Sequence, residues 1–288
     1  MSEEVVNARA GLLDALDALN EHLDALILVG AQAVYLHTGD AQIAIAEYTT
    51  DGDIAINPDL LGSDPLIEIA MRSGGFEPME GAIGSWESAH GVEVDLMVPT
   101  AVAGKGTKKS RGVEVPPHAR HAMRRTKGLE AALVDHSIMT IPAIDSGADA
   151  RSYDIKVAGP AALLVAKLHK VSERLGRPDR SENKDAHDIY RILVAVQTPT
   201  LAESLRRLTA AEVSADVTVE AIDMLETLFG TTDAEGSMMA GATEEGLGDP
   251  EQVALSVSIL AQELLDSLAR GMSQTIRRAD QDSPNLGE

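Results

Sequence analysis

Residues 49–56 have the sequence Thr-Thr-Asp-Gly-Asp-Ile-Ala-Ile, in which two carboxylates lead directly into an apolar run. The apolar half predicts a buried strand that Pro58 ends, because proline cannot donate to a sheet ladder. Side chains two residues apart on a strand share a face, so Asp51 and Asp53 should lie side by side. Two adjacent like charges are costly unless a cation lies between them, and oxygen ligands at this density suit Mg²⁺. An exposed turn is the alternative, since Asp-Gly-Asp is also common in loops.

The sequence on either side of this stretch predicts neighbouring strands. Residues 25–30, ALILVG, predict a buried strand followed by a short helix over 31–37. Gly30 at that junction would let a phosphate approach the backbone N–H groups of the helix N-terminus. In VEVDLMV, residues 92–98, the apolar residues alternate, so Asp95 should point away from the core. A third carboxylate on a neighbouring strand completes a two-metal arrangement for phosphoryl transfer. Glu93 is expected to face water on an edge strand.

The rest of the chain predicts an α+β protein that changes character near residue 159. Before that point, helices are predicted at 2–24 and 64–73, with strands around Val113 and Val115, at 136–142 and at 153–157. After Gly159-Pro160, helical periodicity extends over 160–176, 183–196, 200–213, 218–229 and 250–274. We predict a mixed-sheet domain with flanking helices at 1–158 and a mostly helical domain at 159–288. An acidic linker is predicted at 230–249 and a flexible tail at 279–288.

Composition excludes several classes of protein. The chain has 288 residues, 44% hydrophobic, and lacks cysteine, which excludes disulfides, thiolate metal sites and cysteine nucleophiles. No apolar run reaches the ~18 residues of a membrane span, and the acidic N-terminus is unlike a signal peptide. We therefore expect a cytoplasmic protein without a membrane partner.

The net charge of −22 is unevenly distributed along the chain. Residues 105–191 contain 17 basic and 11 acidic side chains, whereas both flanking segments are strongly acidic. A basic band in an acidic chain is a candidate polyanion surface, although a solvated Lys/Arg-rich surface is the alternative. The stretch 105–127 lacks aromatic residues, which favours phosphate contact over base stacking.

The ordered set of motifs resembles the AbiEii/MenT toxins of type IV toxin–antitoxin systems, within the DNA polymerase β-like nucleotidyltransferase superfamily. The resemblance covers roughly residues 25–196. Gly30-Ala31 matches the turn after the first strand, and Thr49, Asp51 and Asp53 match the Asp segment. Asp95 matches the third Asp, Lys167 the helical Lys, and residues 184–188, Lys-Asp-Ala-His-Asp, the final pattern.

The resemblance implies a Mg²⁺-dependent enzyme, with Mn²⁺ as an alternative ion, that transfers NMP from an NTP. The implied metal ligands are Asp51, Asp53 and Asp95, and these act in catalysis with Lys167 and Asp188. The implied nucleotide-binding residues are Gly30, Ala31, Thr50, Lys167 and Asp185. Asp188 is favoured over Asp185 as the residue that positions Lys167, while His169 and His187 are expected at the surface.

The resemblance also implies an acceptor and a partner. The expected acceptor is the 3′ end of tRNA or another RNA, bound through basic residues in 105–127 and 167–184. Transfer onto it would inhibit translation and growth, and a cognate antitoxin is expected.

Three positions depart from the family pattern. Ala31 replaces a phosphate-binding Ser, Glu47 replaces an Arg, and Gly52 replaces an aliphatic residue. Two alternatives therefore stay open: a catalytically weakened binding protein, and NMP transfer to a protein or a small molecule such as an aminoglycoside.

Overall fold

The computed structural model describes residues 3–39, 43, 49–104, 111–175 and 183–281, with the backbone alone from 271 onward. The first part of the chain supplies the sheet and the helices packed on it. Its helices are α1 (Glu3–Ala18), α2 (Gly30–Thr38) and α3 (Ile67–Ser73). Its strands are β1 (Leu26–Val29), β2 (Asp51–Ile56), β3 (Phe76–Pro78), β4 (Ser85–Ser88), β5 (Glu93–Pro99), β6 (Arg124–Thr126), β7 (His136–Pro142) and β8 (Ser152–Ala158).

These strands form one mixed sheet in the order β3-β4-β5-β2-β1-β8-β7, and β6 pairs with the far end of β5. β1 runs antiparallel to β2 and parallel to β8, while β2 runs parallel to β5. All four residues of β1 are buried, as expected for a strand covered on both faces. β2 and β5 are therefore central strands, and their starts lie side by side.

Helices make up the rest of the described chain. They are α4 (Pro160–Arg174), α5 (Asn183–Ala195), α6 (Thr198–Ala210), α7 (Ala215–Phe229), α8 (Glu235–Ala242) and α9 (Pro250–Gln281). Pro160 occupies the first turn of α4, where its missing N–H has no cost. α4 packs against α2, α5 and α7, which brings the helical part against the β1–α2 unit. The predicted α+β class, a mixed sheet with flanking helices followed by a mostly helical part, is confirmed.

The acidic linker predicted at 230–249 is wrong, because α8 lies within it and packs against α5 and α9. The buried face of α8 consists of small residues, Gly236, Ser237, Ala240 and Gly241. A Cβ on Gly236 would lie 2.6 Å from the Phe229 ring, so the close packing depends on glycine. Small residues give no hydrophobic periodicity, and the segment therefore resembles a loop in sequence.

Other boundaries differ in smaller ways. The strand predicted around Val113 and Val115 is absent from the described residues, where only an isolated bridge joins Gly112 to Arg124. Short strands β3, β4 and β6 were not predicted. Of the predicted tail, residues 279–281 continue α9 and 282–288 lie outside the described residues. The division into domains at 158/159 stays a prediction; the last strand ends at Ala158 and helices begin at Pro160.

No helix within the described ranges is both long and apolar enough to cross a bilayer.

Candidate functional site

The pairing of β2 with β5 places four carboxylates together. Asp53 is opposite Asp95 and Asp51 is opposite Glu93, in parallel register. Val94 and Leu96 lie in the core while Asp95 is only partly buried, as the alternation of β5 predicts. The structure therefore brings Asp51, Asp53 and Asp95 to one cavity.

Glu93 belongs to the same group, and the expectation that it faces water on an edge strand is wrong. β5 lies between β4 and β2, so Glu93 has a strand on either side. It lines the cavity, and burial followed by the negative charges of Asp95 and Asp51 raises its pKa. Its position two residues before Asp95 repeats the spacing of Asp51 and Asp53, and this pattern could have identified it.

Asp53 is the most strongly affected carboxylate of the group. Burial, together with the neighbouring charges of Asp51 and Asp95, raises its pKa to about 6, against the lowering effect of Lys170 and Arg124. The local cations therefore do not compensate the negative charge at this position. A cation from outside the chain would do so.

Hydroxyl and guanidinium groups orient the other two aspartates. Thr49 Oγ1 donates a hydrogen bond of 2.5 Å to Asp51 Oδ1. Ser85 Oγ donates to Asp95 Oδ1, and Arg124 donates from a guanidinium nitrogen 2.5 Å from Asp95 Oδ2. Both oxygens of Asp95 thus have partners within the chain.

Gly30 begins α2 with φ of +69°, a left-handed conformation that side chains rarely adopt. A Cβ at Gly30 would lie 1.9 Å from Asp53 Oδ2. Glycine is thus required both by the backbone conformation and by the close approach of Asp53.

A second cluster of charges lies between α4 and α5. Lys167 Nζ is 2.6 Å from an oxygen of Asp185 and 2.6 Å from an oxygen of Asp188. The Asp185 contact is a hydrogen bond, whereas Asp188 Oδ2 is an ion-pair contact without hydrogen-bond geometry. The i, i+3 spacing puts both carboxylates on one face of α5, toward Lys167. All three side chains are at most 5% exposed.

The members of this second cluster compensate one another. Burial alone would lower the pKa of Lys167, but the charges of Asp185 and Asp188 raise it. Burial acts to raise the pKa of Asp185, yet Lys167, Lys170 and Arg174 lower it to about 2. Asp185, in the first turn of α5, also accepts a hydrogen bond of 2.9 Å from Arg174. Both acids thus contact Lys167, and Asp185 has a second cationic partner.

Two cavities share the wall formed by Asp51, Asp53, Lys167, Lys170 and Arg174. The sheet cavity, of about 300 Å³, also contains Gly30, Glu93, Asp95, Arg124 and Lys127. The helix cavity, of about 470 Å³, also contains Ala31, Tyr35, Thr50, Lys184, Asp185, Asp188 and Arg191. The structure thus gathers every residue predicted for the site around these two cavities.

The donor set fits a divalent cation at Asp51 and Asp53. Within the described ranges, no three His, Asp or Glu side chains are arranged to hold one metal ion. The third predicted ligand, Asp95, is ion-paired with Arg124. Mg²⁺ is commonly held by one or two carboxylates plus substrate phosphates, so Asp51 and Asp53 suffice for that mode.

The basic residues predicted to contact RNA are partly engaged inside the protein. Arg125 donates to the carbonyl oxygens of Thr100, Ala103 and Gly104, and Lys127 pairs with Glu220. Lys170 and Arg174 line both cavities. Residues 105–110 and 176–182, which carry other predicted contacts, lie outside the described residues.

Two histidines expected at the surface are buried instead. His169 contacts the carbonyl oxygen of Val217 at 2.8 Å, and His187 contacts Glu244 at 3.1 Å. His169 therefore connects α4 to α7, and His187 connects α5 to the turn after α8.

The similarity of this chain to known proteins is low. No family model matches the chain, and none of the curated proteins matches it. The similar solved structures include the "Crystal structure of an antigenic nucleotidyltransferase-like protein from Paracoccidioides brasiliensis". The two chains are 16% identical with a TM-score of 0.38, over 75% of this chain and 93% of that chain. The resemblance to AbiEii/MenT toxins therefore rests on the motif residues themselves.

Proposed function

We propose that this protein is a Mg²⁺-dependent nucleotidyltransferase that transfers NMP from an NTP to an acceptor hydroxyl. The observation that supports this most directly is the carboxylate cluster on β2 and β5. Asp51, Asp53 and Asp95 line one cavity, and the cations of α4 (Lys167, Lys170 and Arg174) line the same cavity. Carboxylates for a cation beside Lys and Arg for phosphates are what phosphoryl transfer requires.

The cations of α4 are assigned to the triphosphate. An ammonium group has three N–H donors, and Lys167 Nζ uses one in its hydrogen bond to Asp185 while it forms an ion pair with Asp188, so it keeps donor capacity for a phosphate oxygen. The side chain of Lys170 is 41% exposed and lines both cavities. Ala31 and Thr50 line the helix cavity, so the nucleotide is assigned to that cavity.

Mg²⁺, or Mn²⁺ in its place, would be held by Asp51 and Asp53 and would neutralise charge that develops on the phosphates. The acceptor hydroxyl enters on the sheet side, where Asp95 accepts its proton. The acceptor oxygen bonds to the α-phosphorus, and the bond from that phosphorus to the leaving pyrophosphate breaks. Arg124, the ion-pair partner of Asp95, lines the same cavity and is assigned to a phosphate of the acceptor in this proposal.

The proposed acceptor is an RNA 3′ end, most specifically that of tRNA, with growth inhibition as the outcome and a cognate antitoxin as partner. This finer proposal is supported by the motif resemblance and by the positive charge of residues 105–191. Arg111 is an exposed member of that segment.

The test is incubation of the protein with each of four α-labelled NTPs and total RNA, and separately with cell protein. We expect label on RNA from the wild type and from Asp59→Asn, an exposed carboxylate in a loop. Asp53→Asn should remove the label. If Asp53→Asn labels RNA as strongly as the wild type, the assignment of Asp53 to the active site is contradicted. If label appears on protein alone, the acceptor is a protein and not RNA.

A second candidate is a catalytically weakened protein that works by binding a partner. The ion pair of Arg124 with Asp95 favours it, because it occupies the third carboxylate. Calorimetric titration with each NTP and Mg²⁺ separates the candidates. The enzyme should bind at least one Mg²⁺–NTP, whereas a folded protein that binds none supports the second candidate.

A further inference from the structure

An apolar groove lies between α8 and the start of α9. It has a volume of about 420 Å³. Its lining residues are Thr232, Met238, Ala242, Glu245, Pro250, Glu251 and Ala254. Most of the lining is apolar, and its two charged side chains are both acidic.

Large apolar side chains are exposed around this groove. Met238 is 56% exposed, and Leu255, directly after the groove residue Ala254, is 49% exposed. Ile259, one turn further along α9, is 50% exposed, and Leu247 in the connection between the two helices is 75% exposed. A concentration of exposed apolar side chains next to a groove is typical of a surface that binds another molecule.

The charge of this region restricts what can bind there. From residue 208 to residue 269 the chain contains no Lys or Arg and 13 Asp or Glu. A second copy docked through the same surface would bring acidic residues against acidic residues, and nucleic acid would be repelled. A cationic partner with an apolar face satisfies both the charge and the groove.

We propose that this α8–α9 groove binds a basic amphipathic helix of a protein partner. Its apolar side chains at i, i+3 or i+4 and i+7 enter the groove beside Met238 and Leu255. Its Lys and Arg residues contact Glu245 and Glu251 at the rim.

The groove is connected to the candidate site through one turn. Ala242 and Glu245 line the groove, whereas Thr243 lines the helix cavity and Glu244 contacts His187 of α5. A helix bound in the groove therefore contacts a turn that supports α5, the helix that carries Asp185 and Asp188.

The probe is a synthetic Leu/Lys amphipathic helix of roughly 18 residues, long enough to be helical when bound. Its controls are a Leu/Glu helix of the same pattern and a scrambled Leu/Lys peptide. Binding to the full chain is measured by calorimetry at low and high salt. We expect the Leu/Lys helix to bind and the two control peptides to bind at least ten times more weakly.

Variants of the protein locate the binding surface. Met238→Ser with Leu255→Ser, and Glu245→Lys with Glu251→Lys, should each weaken binding at least tenfold. Ile138→Ser and Glu77→Lys are matched controls, because Ile138 is 71% exposed and the Glu77 side chain 74% exposed, both on strands. These controls should bind like the wild type, and circular dichroism verifies that each variant folds.

Several results would overturn the proposal. One is equal binding of the scrambled peptide, which indicates attraction to an acidic protein in general. Another is unchanged binding by folded groove variants. A dimer in sedimentation that Met238→Ser dissociates would assign the groove to a second copy instead. Because binding alone is measured, the result does not depend on whether the protein transfers nucleotides.

Discussion

Two clusters of charged side chains face the same pair of cavities, and they differ in how their charge is compensated. Between α4 and α5, Lys167 contacts both Asp185 and Asp188, and Arg174 adds a further cation. On β2 and β5, four carboxylates lie together, and Arg124 is ion-paired with one of them. The charges of the first cluster are compensated by residues of the chain itself, while the second cluster carries excess negative charge.

Buried charges thus have two different roles in this protein, one structural and one suited to binding a cation. An ion pair whose partners all come from the chain holds helices in one arrangement, and removal of one member leaves the others uncompensated. A cluster of like charges costs stability by itself and is relieved by a bound cation. We therefore expect substitutions in the two clusters to change the free energy of unfolding in opposite directions.

The largest effect is expected from Lys167→Met. It leaves Asp185 and Asp188 buried without their shared cation, and should destabilise the protein by about 3–5 kcal/mol. Urea unfolding measures the change, with Lys170→Met as the matched control because that side chain is 41% exposed. The control should lose less than about 1 kcal/mol. If the two variants lose equal free energy of unfolding, the buried ion pairs of Lys167 do not stabilise the protein more than the exposed Lys170 does.

The carboxylate cluster should respond with the opposite sign. Asp53→Asn removes one charge from a site where repulsion and burial raise the pKa to about 6. We expect the metal-free variant to be more stable than the wild type at neutral pH by about 1–3 kcal/mol. Mg²⁺ should raise the melting temperature of the wild type and of Asp59→Asn but not of Asp53→Asn. If the metal-free Asp53→Asn protein is less stable than the metal-free wild type, the idea that β2 carries excess negative charge is contradicted.

The pH dependence of stability should show the same contrast. The pKa of Asp53 in the folded protein lies above its ordinary value of 3.8, so its ionisation opposes folding and this cost disappears as the pH falls from 7 to 4. The pKa of Asp185 lies below its ordinary value, so its stabilisation is present above about pH 4 and is lost toward pH 2.

Urea titrations of the metal-free wild type and Asp53→Asn at several pH values test this prediction. The stability gap between them should shrink from pH 7 to pH 4. A gap that widens over that range would be opposite in sign to the prediction.

The smallest effect is expected from Arg124→Gln, which removes the one ion-pair partner of the carboxylate cluster in the described structure. With Asp95 released, Mg²⁺ should bind several-fold more tightly, a change of about 1 kcal/mol. Calorimetric titration with Mg²⁺ measures this change, and Arg72→Gln, at an exposed position of α3, is the matched control. Weaker Mg²⁺ binding by Arg124→Gln would show that Arg124 orients Asp95 for the cation.

The site residues that can be predicted from the sequence are those related by a short spacing within one strand or helix. Asp51 and Asp53 share a face because the strand repeat is two residues, and the alternation around Asp95 predicts its direction from the same rule. Lys167 and Asp188 were selected by motif, and the α5 helix repeat brings Asp185 to the same lysine. Such local rules do not identify partners distant in sequence, such as Ser85 and Arg124 on Asp95.

The α+β class, the change to helices after Gly159 and the carboxylate pair are all predictable from the sequence, because each follows from local periodicity or a fixed i, i+2 spacing. Three features become visible only in the folded structure: Glu93 lies on a central strand, Arg124 is paired with Asp95, and α8 is a packed helix. These features depend on which strands and helices become neighbours. That choice is made by the burial of whole surfaces, not by the residues of any one segment.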